Sequence, residues 1–492
     1  MEPVTSIKPL LAVLVSILAV PLIVCAGRPN VREFWTFAAA AVKFGIVASM
    51  LPVVSAGQKL TLTLFHVLPG VPLAFRVDAM GLLFALVSSS LWIVTSAYSI
   101  GYMRGLDEHS QTRYFCFFAL ALSATVGVAF SANLFTLYLF YEMLSFATYP
   151  LVTHHQDDEA RRSGRKYLIY IVGGSVGLVL PAMIVCYVQT GTLDFTTQGF
   201  LAGHVGRETA WVLALLFVFG LAKAAVMPLH AWLPAAMVAP TPVSALLHAV
   251  AVVKVGAFSV FRVLTGVFGV DFMAQCGLDI LVGVLASITI VTASLVALSQ
   301  DGLKRRLAFS TISQLSYIVL GAALLHPKGL TGGLLHIAMH AFGKITLFFC
   351  AGAIFVATGL KNISDMKGLG RRMPVTMGAF LVGSLGVIGL PPAGGFLSKW
   401  TLLLGTLQAH QIGFLVVLLV SSLLNAAYFL PIVYNAYFAK PSDPGASSGM
   451  QEAPAWCLAA ILVTSVCSVI LFFHPWPFMD LAQLAMIQIT GG

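Results

Sequence analysis

About fourteen apolar segments, each near twenty residues long, follow one another along this 492-residue chain. An α-helix needs about twenty apolar residues to cross about 30 Å of hydrocarbon. In lipid its backbone must also satisfy its own N–H and C=O groups. The pattern therefore leaves one fold class, an all-α polytopic membrane protein with about fourteen transmembrane helices. The segments lie near 9–27, 34–55, 79–101, 112–130, 133–153, 167–190, 209–229, 241–266, 278–299, 304–325, 329–358, 375–405, 411–438 and 454–474. Composition agrees: 9% of residues are charged, where soluble domains carry about 25%. Between the second and third segments, TLTLFHVLPGVPLAFRV (61–77) alternates apolar and polar residues around Pro-Gly. That alternation predicts a β-hairpin outside the membrane. PSDPGASSG at 441–449 is the low-complexity tract.

The net charge of +9 is scattered through short loops, which fits topology signals and argues against nucleic acid as a partner. Sixteen of the 27 Lys and Arg fall in odd-numbered loops, and five in even loops and termini. The odd loops should face the cytoplasm and both termini the other side of the cell membrane. The loop HHQDDEARRSGRK (154–166) reads as a solvated cytoplasmic face, and Arg262 as reaching the interface. The first apolar run lacks a small-residue cleavage site and reads as a retained span. The seven cysteines show no CxxC spacing. They read as small buried hydrophobes, against a disulfide framework, haem or iron–sulfur cluster. GxGxxG, Walker and GxSxG motifs are absent, so no cofactor is expected and the chain itself should carry no redox or hydrolytic chemistry.

Of the 18 Asp and Glu, this reading leaves one, Glu142 in LYLFYEMLSFATY, in mid-span. Lys223, Lys254, Lys344 and Lys399 also sit in apolar runs. A charge at the bilayer centre costs about 2.5–3.5 kcal/mol even on lenient scales, so these groups mark a path for protons. Glu142 and Lys223 lie on different helices. They form either a coupled pair that hands protons on or a static bridge. His336, His340 and Lys344 follow an i, i+4, i+8 pattern in span 11 and form one polar stripe. Ser244 and His248 share a face of span 8. Lys254 lies about 240° around from His248, free to bridge the two halves. No carboxylate or thiolate completes a ligand set with these histidines, so no metal is expected. Lys43 has no obvious partner, and either snorkels or meets another subunit.

Two spans are interrupted. FGLAKAAVMPLHAWLP carries Pro228 after Lys223, and VIGLPPAGGFLSKW carries Pro391 and Pro392 before Lys399. Proline removes a donor and clashes with the carbonyl four residues back, so helices 7 and 12 should break. Paired breaks in the two halves point to repeats with an ion path between them.

FYEMLSFATYPLV (140–152), AKAAVMPLHAWLPAAM (222–237), PTPVSALLH (240–248), LAFSTISQLSY (307–317), HAFGKITLFFCAG (340–352) and GLPPAGGFLSK (389–399) together resemble the antiporter-like subunits. That family holds the large membrane subunits of respiratory complex I, the big subunits of Mrp-type cation/proton antiporters, and relatives in membrane-bound hydrogenases. The resemblance implies two inverted five-helix repeats, spans 4–8 and 9–13, with both termini outside. The chain then divides into 1–111 (helices 1–3 and hairpin), 112–268 (first repeat), 269–440 (second repeat) and 441–492 (helix 14 and a short tail). By position it carries over Glu142 as the span-5 glutamate, Lys223 as the span-7 lysine, Lys254 as the bridging lysine and Lys399 as the terminal base. His248, His336, His340 and Lys344 match polar positions of the central axis. The implied partners are other membrane subunits of a prokaryotic complex, protons, and sodium or potassium as counter-ion. Lysine at 399 argues against the complex I subunit whose span 12 ends in an acid, and chain length and the short C-terminus look most like an Mrp D-type subunit. His248 looks more like complex I or hydrogenase members. A membrane partner for inorganic-carbon uptake is a third reading on the same scaffold.

Overall fold

The computed structural model describes residues 4–440 and 449–491, without the side chain of His248. The 441–449 tract lies, except for Gly449, outside the described residues. Each apolar segment coincides with a helix or a broken helix. Among the described residues nine helices are long and apolar enough to cross a membrane. A tenth is added if Val252–Phe268 and Val270–Cys276, bent by 84°, count as one. The number is lower than fourteen for physical reasons. Leu134–Val152 carries Glu142 among hydroxyl and phenol groups, and Leu303–Ala323 opens on Lys304, Arg305 and Arg306. The two proline-bearing segments are divided into shorter pieces. Leu18, Phe34, Ile169, Val188, Leu423 and Phe438 are large apolar side chains exposed on the outside, as a lipid-facing surface requires.

The hairpin forms as predicted: Leu60–Leu68 pairs antiparallel with Val71–Val77, and Val4–Thr5 adds a short parallel strand. Its turn uses Gly70 at φ +72, and a Cβ there would lie 2.4 Å from the Gly191 carbonyl oxygen. The second strand leads into Asp78, which caps Ala79–Gly105 by accepting from the Gly81 N–H at 2.8 Å. At the centre, Pro327–Thr358 runs 32 residues and is buried from Gly329 to Ile354. It packs on Leu303–Ala323 and on both halves of the second broken helix, Pro374–Ile388 and Gly395–Gln408. The C-terminal residues expected as a short tail form another helix, Trp476–Thr490. Its Gln488 accepts from the Ala79 N–H at 3.1 Å.

Three polar positions find partners or burial that the sequence reading did not give them. Arg262, read as reaching the interface, is buried beside the start of the Ala79–Gly105 helix and donates to both oxygens of Asp78, at 2.5 and 2.8 Å. Lys43 neither snorkels nor waits for another subunit. It is fully buried, donates to the Leu122 carbonyl at 3.0 Å and lies 5.2 Å from the Trp92 ring centroid. His154, in the loop read as solvated, is fully buried. The Arg262–Asp78 fork is bidentate and desolvated, so losing one partner strands the other charge. Arg262→Leu is therefore expected to destabilise the protein by about 3–5 kcal/mol. The Asp78→Asn/Arg262→Leu double variant should recover most of that in thermal unfolding in detergent. A double variant no more stable than the single would mean the fork is not the cause.

Candidate functional site

The first break is built from small residues. Arg207–Gly220 ends, a single tight turn covers Ala222–Ala224, and Ala225 takes φ 55. The chain stays irregular to Trp232 and includes the cis Met227–Pro228 peptide. Lys223 sits in that turn, fully buried. Gly256 of the Val252–Val263 helix lies directly on it: a Cβ there would meet the Lys223 carbonyl carbon and the Ala224 nitrogen at 2.1 Å. Glycine is needed here for close approach.

Lys223 and Glu142 do not touch. The Lys223 Nζ donates to the Tyr141 carbonyl at 2.9 Å and to Ser145 Oγ at 2.7 Å. It also lies 3.2 Å from the Tyr141 ring centroid. The ammonium is thus held on the helix that carries Glu142, one residue away in sequence. Both carboxylate oxygens of Glu142 are enclosed without a protein hydrogen-bond partner. The sequence expectation of a coupled pair or a static bridge is corrected in one respect: this arrangement is not a bridge.

The second half is a line of contacts. Lys254 Nζ lies 2.7 Å from His340 Nδ1. His340 stacks on His336 with ring centroids 5.4 Å apart. His336 Nδ1 lies 2.9 Å from Ser398 Oγ, and its ring stacks on Tyr317 at 5.4 Å. Lys399, beside Ser398, lies 4.7 Å from the Tyr317 ring centroid and donates to the Ile388 carbonyl at 3.1 Å. That carbonyl is freed at the second break, which contains the cis Pro391–Pro392 peptide. Lys344 leaves the stripe. It donates to Ser310 Oγ at 2.8 Å, and Ser310 accepts from Tyr428 at 3.1 Å. The side chain of His248 lies outside the described residues.

Tautomers follow from the partners. Ser398 donates its hydroxyl to the Gly395 carbonyl at 3.1 Å, so its oxygen accepts from the His336 Nδ1–H and Nε2 is left as an acceptor. When Lys254 is an ammonium it donates to His340 Nδ1, and Nε2 carries the proton. Both Nε2 atoms are buried without protein partners.

Several polar groups on this line were not singled out from sequence. Gln314 is fully buried with neither amide atom bonded, on the helix that supplies Ser310 and Tyr317. Ser398, Tyr317, Tyr141 and Ser145 act as partners of the lysines and histidines. The spacing of Ser310, Gln314 and Tyr317 (i, i+4, i+7) was a readable stripe.

Fold and site together define a multi-span membrane protein with lysines and histidines buried between its helices. The family description NADH:quinone oxidoreductase/Mrp antiporter, TM, matches residues 131–425, and this chain belongs to that family. It is 36% identical to NADH-quinone oxidoreductase subunit N of Desulforudis audaxviator, over 79% of this chain and 80% of that protein. It is 30% identical to hydrogenase-4 component B of Escherichia coli over 82% of this chain, and 31% identical to Na(+)/H(+) antiporter subunit A1 of Staphylococcus aureus over 74%. The chain spans only 63% and 47% of the lengths of those two proteins. Two solved structures share the fold. A chain of the Mrp complex from Dietzia aligns with TM-score 0.87 at 23% identity, covering 98% of this chain and 97% of that one. A chain of the membrane-bound sulfane sulfur reductase, an archaeal respiratory membrane complex, aligns with TM-score 0.88 at 25% identity, covering 99% and 98%. The relatives are bacterial and archaeal, and this is a multi-span membrane protein.

Proposed function

We propose that this chain is the proton-translocating, antiporter-like subunit of a multisubunit cell-membrane complex, most like an Mrp-type cation/proton antiporter subunit. In this reading the chain crosses the membrane fourteen times, with both termini outside the cytoplasm. Residues 112–268 and 269–440 form two inverted repeats, flanked by 1–111 and 441–492. The observation that carries it is the Lys254–His340 contact at 2.7 Å, which joins a helix of the first half to the central helix of the second. Protons pass from Glu142 and Lys223 through Lys254, His340 and His336 to Lys399, with His248 and Lys344 along the same axis. The His340 Nε2–H and the bare His336 Nε2 give that step a donor and an acceptor. Buried polar groups without protein partners, Gln314 and Ser316 among them, are where bridging water belongs. Lysine and histidine thus serve as exchangeable sites, and a change in the Glu142–Lys223 separation gates entry.

A second reading is a redox-driven pump in which other subunits carry the electrons. The similarity to subunit N over 80% of that protein favours it. Purifying the intact complex separates the two. Cation-dependent proton movement in vesicles without flavin, iron–sulfur or nickel subunits is expected for the antiporter. Co-purifying redox subunits, with proton movement only on electron transfer, would establish the pump. Vesicles that move no protons in either mode would refute translocation itself.

A further inference from the structure

We propose that Glu108, His109 and His154 form a binding site for one divalent transition-metal ion of the zinc type. Glu108 and His109 follow the Ala79–Gly105 helix; His154 and His155 follow Leu134–Val152. Glu108 Oε2 lies 3.7 Å from His109 Nδ1 and 3.8 Å from His154 Nε2. All three ligand atoms lie within 4.8 Å of one another. Ligands about 2.0–2.1 Å from a tetrahedral zinc sit about 3.3 Å apart. Shifts of under about 1 Å per side chain would close the site.

The His154 ring is fully buried, and neither nitrogen has a hydrogen-bond partner. Such a ring is costly unless something takes its lone pair. His155 Nε2 donates to Glu108 Oε1 at 3.3 Å, leaving Oε2 to face the other two ligands. His109 Nε2 lies 3.1 Å from the His154 carbonyl oxygen. Donating there leaves Nδ1 bare toward Glu108, which is how a ligating histidine is braced by a second partner.

Arg113 donates to the same carbonyl at 2.7 Å and brings a positive charge near. The site therefore relies on imidazole lone pairs more than on net negative charge. One carboxylate and two imidazoles suit zinc, cobalt or nickel and not magnesium or calcium. A bound ion would tie the end of Ala79–Gly105 to the end of the helix that carries Glu142.

Full-length protein in detergent, stripped with a chelator, tests this by titration with Co2+ and then Zn2+. One equivalent of Co2+ should bind with a visible absorption band, and Zn2+ should displace it. Glu108→Gln and His154→Ala should each weaken Zn2+ binding at least about tenfold. His204→Ala, at an exposed histidine elsewhere, should leave it unchanged. His109 is half exposed, so His109→Ala serves as the variant that spares the buried ring and should weaken binding similarly. X-ray absorption of the zinc-loaded wild type should show two imidazole ligands. Wild-type binding no tighter than the His109→Ala/His154→Ala double variant, or a zinc spectrum without imidazole, would overturn the site.

Discussion

Lys223→Ala is expected to stop proton translocation while costing the protein little stability. The Lys223 ammonium is buried on two oxygens, the Tyr141 carbonyl and Ser145 Oγ. Desolvating a charge costs several kcal/mol, and two neutral acceptors repay it only in part. Removing the charge should therefore cost little stability, whereas removing one arm of a static structural bridge would cost about 3–5 kcal/mol. If Lys223 is a stepping stone, its loss raises the transfer barrier by at least about 3 kcal/mol, which is more than about a hundredfold in rate. Glu142→Gln should behave alike, since its carboxylate stands enclosed and unpartnered one residue from the Tyr141 carbonyl. The measurements are dye-reported proton uptake by vesicles holding the intact complex, and thermal unfolding of the same preparation. Wild-type uptake in either variant would remove that residue from the path. Lost uptake together with a large fall in stability would mark the pair as structural.

What could be read beforehand follows the range of the forces involved. Segment length, hydropathy and proline act locally. The helices, the 60–77 hairpin and the breaks around Pro228 and Pro391–Pro392 were all legible for that reason. The stripe on Pro327–Thr358 was legible from helical period, and His336 and His340 do stack. Partner choice depends on packing between segments far apart in sequence. Arg262 finds Asp78 184 residues away, Lys254 finds His340 86 residues away, and no spacing rule reaches across such gaps. The wide turn over Leu246–Val250, followed by Ala251 at φ −112 and ψ −82, has no proline within it to announce it. His154 was misread because a mixed-sign run reads as solvated, whereas its first residue packs beneath the loop that holds Glu108 and His109. Glu142 was legible as an anomaly of composition, but not the fact that Lys223 would settle on the neighbouring carbonyl and not on the carboxylate.

Lys254→Ala is expected to break the path between the halves. Lys254 is fully buried, and its Nζ lies 2.7 Å from His340 Nδ1. A proton arriving at Lys254 enters His340 through Nδ1 and leaves through Nε2, so the imidazole reverses which nitrogen carries it. Without the lysine, Nδ1 has no donor and the ring cannot be charged from the first half. Uptake should fall by about a hundredfold or more, corresponding to a barrier higher by about 3 kcal/mol. His340→Gln should give a comparable loss, because an amide accepts a hydrogen bond without accepting a proton. Lys254→Arg should restore little, since a guanidinium does not release its proton in proteins. The decisive comparison is the Lys254→Ala/His340→Gln double variant. Two residues serving one step are strongly non-additive, so the double should be no slower than either single. Losses that multiply would mean that the two residues serve separate routes, and Lys254 would then have to pass its proton to a group other than His340.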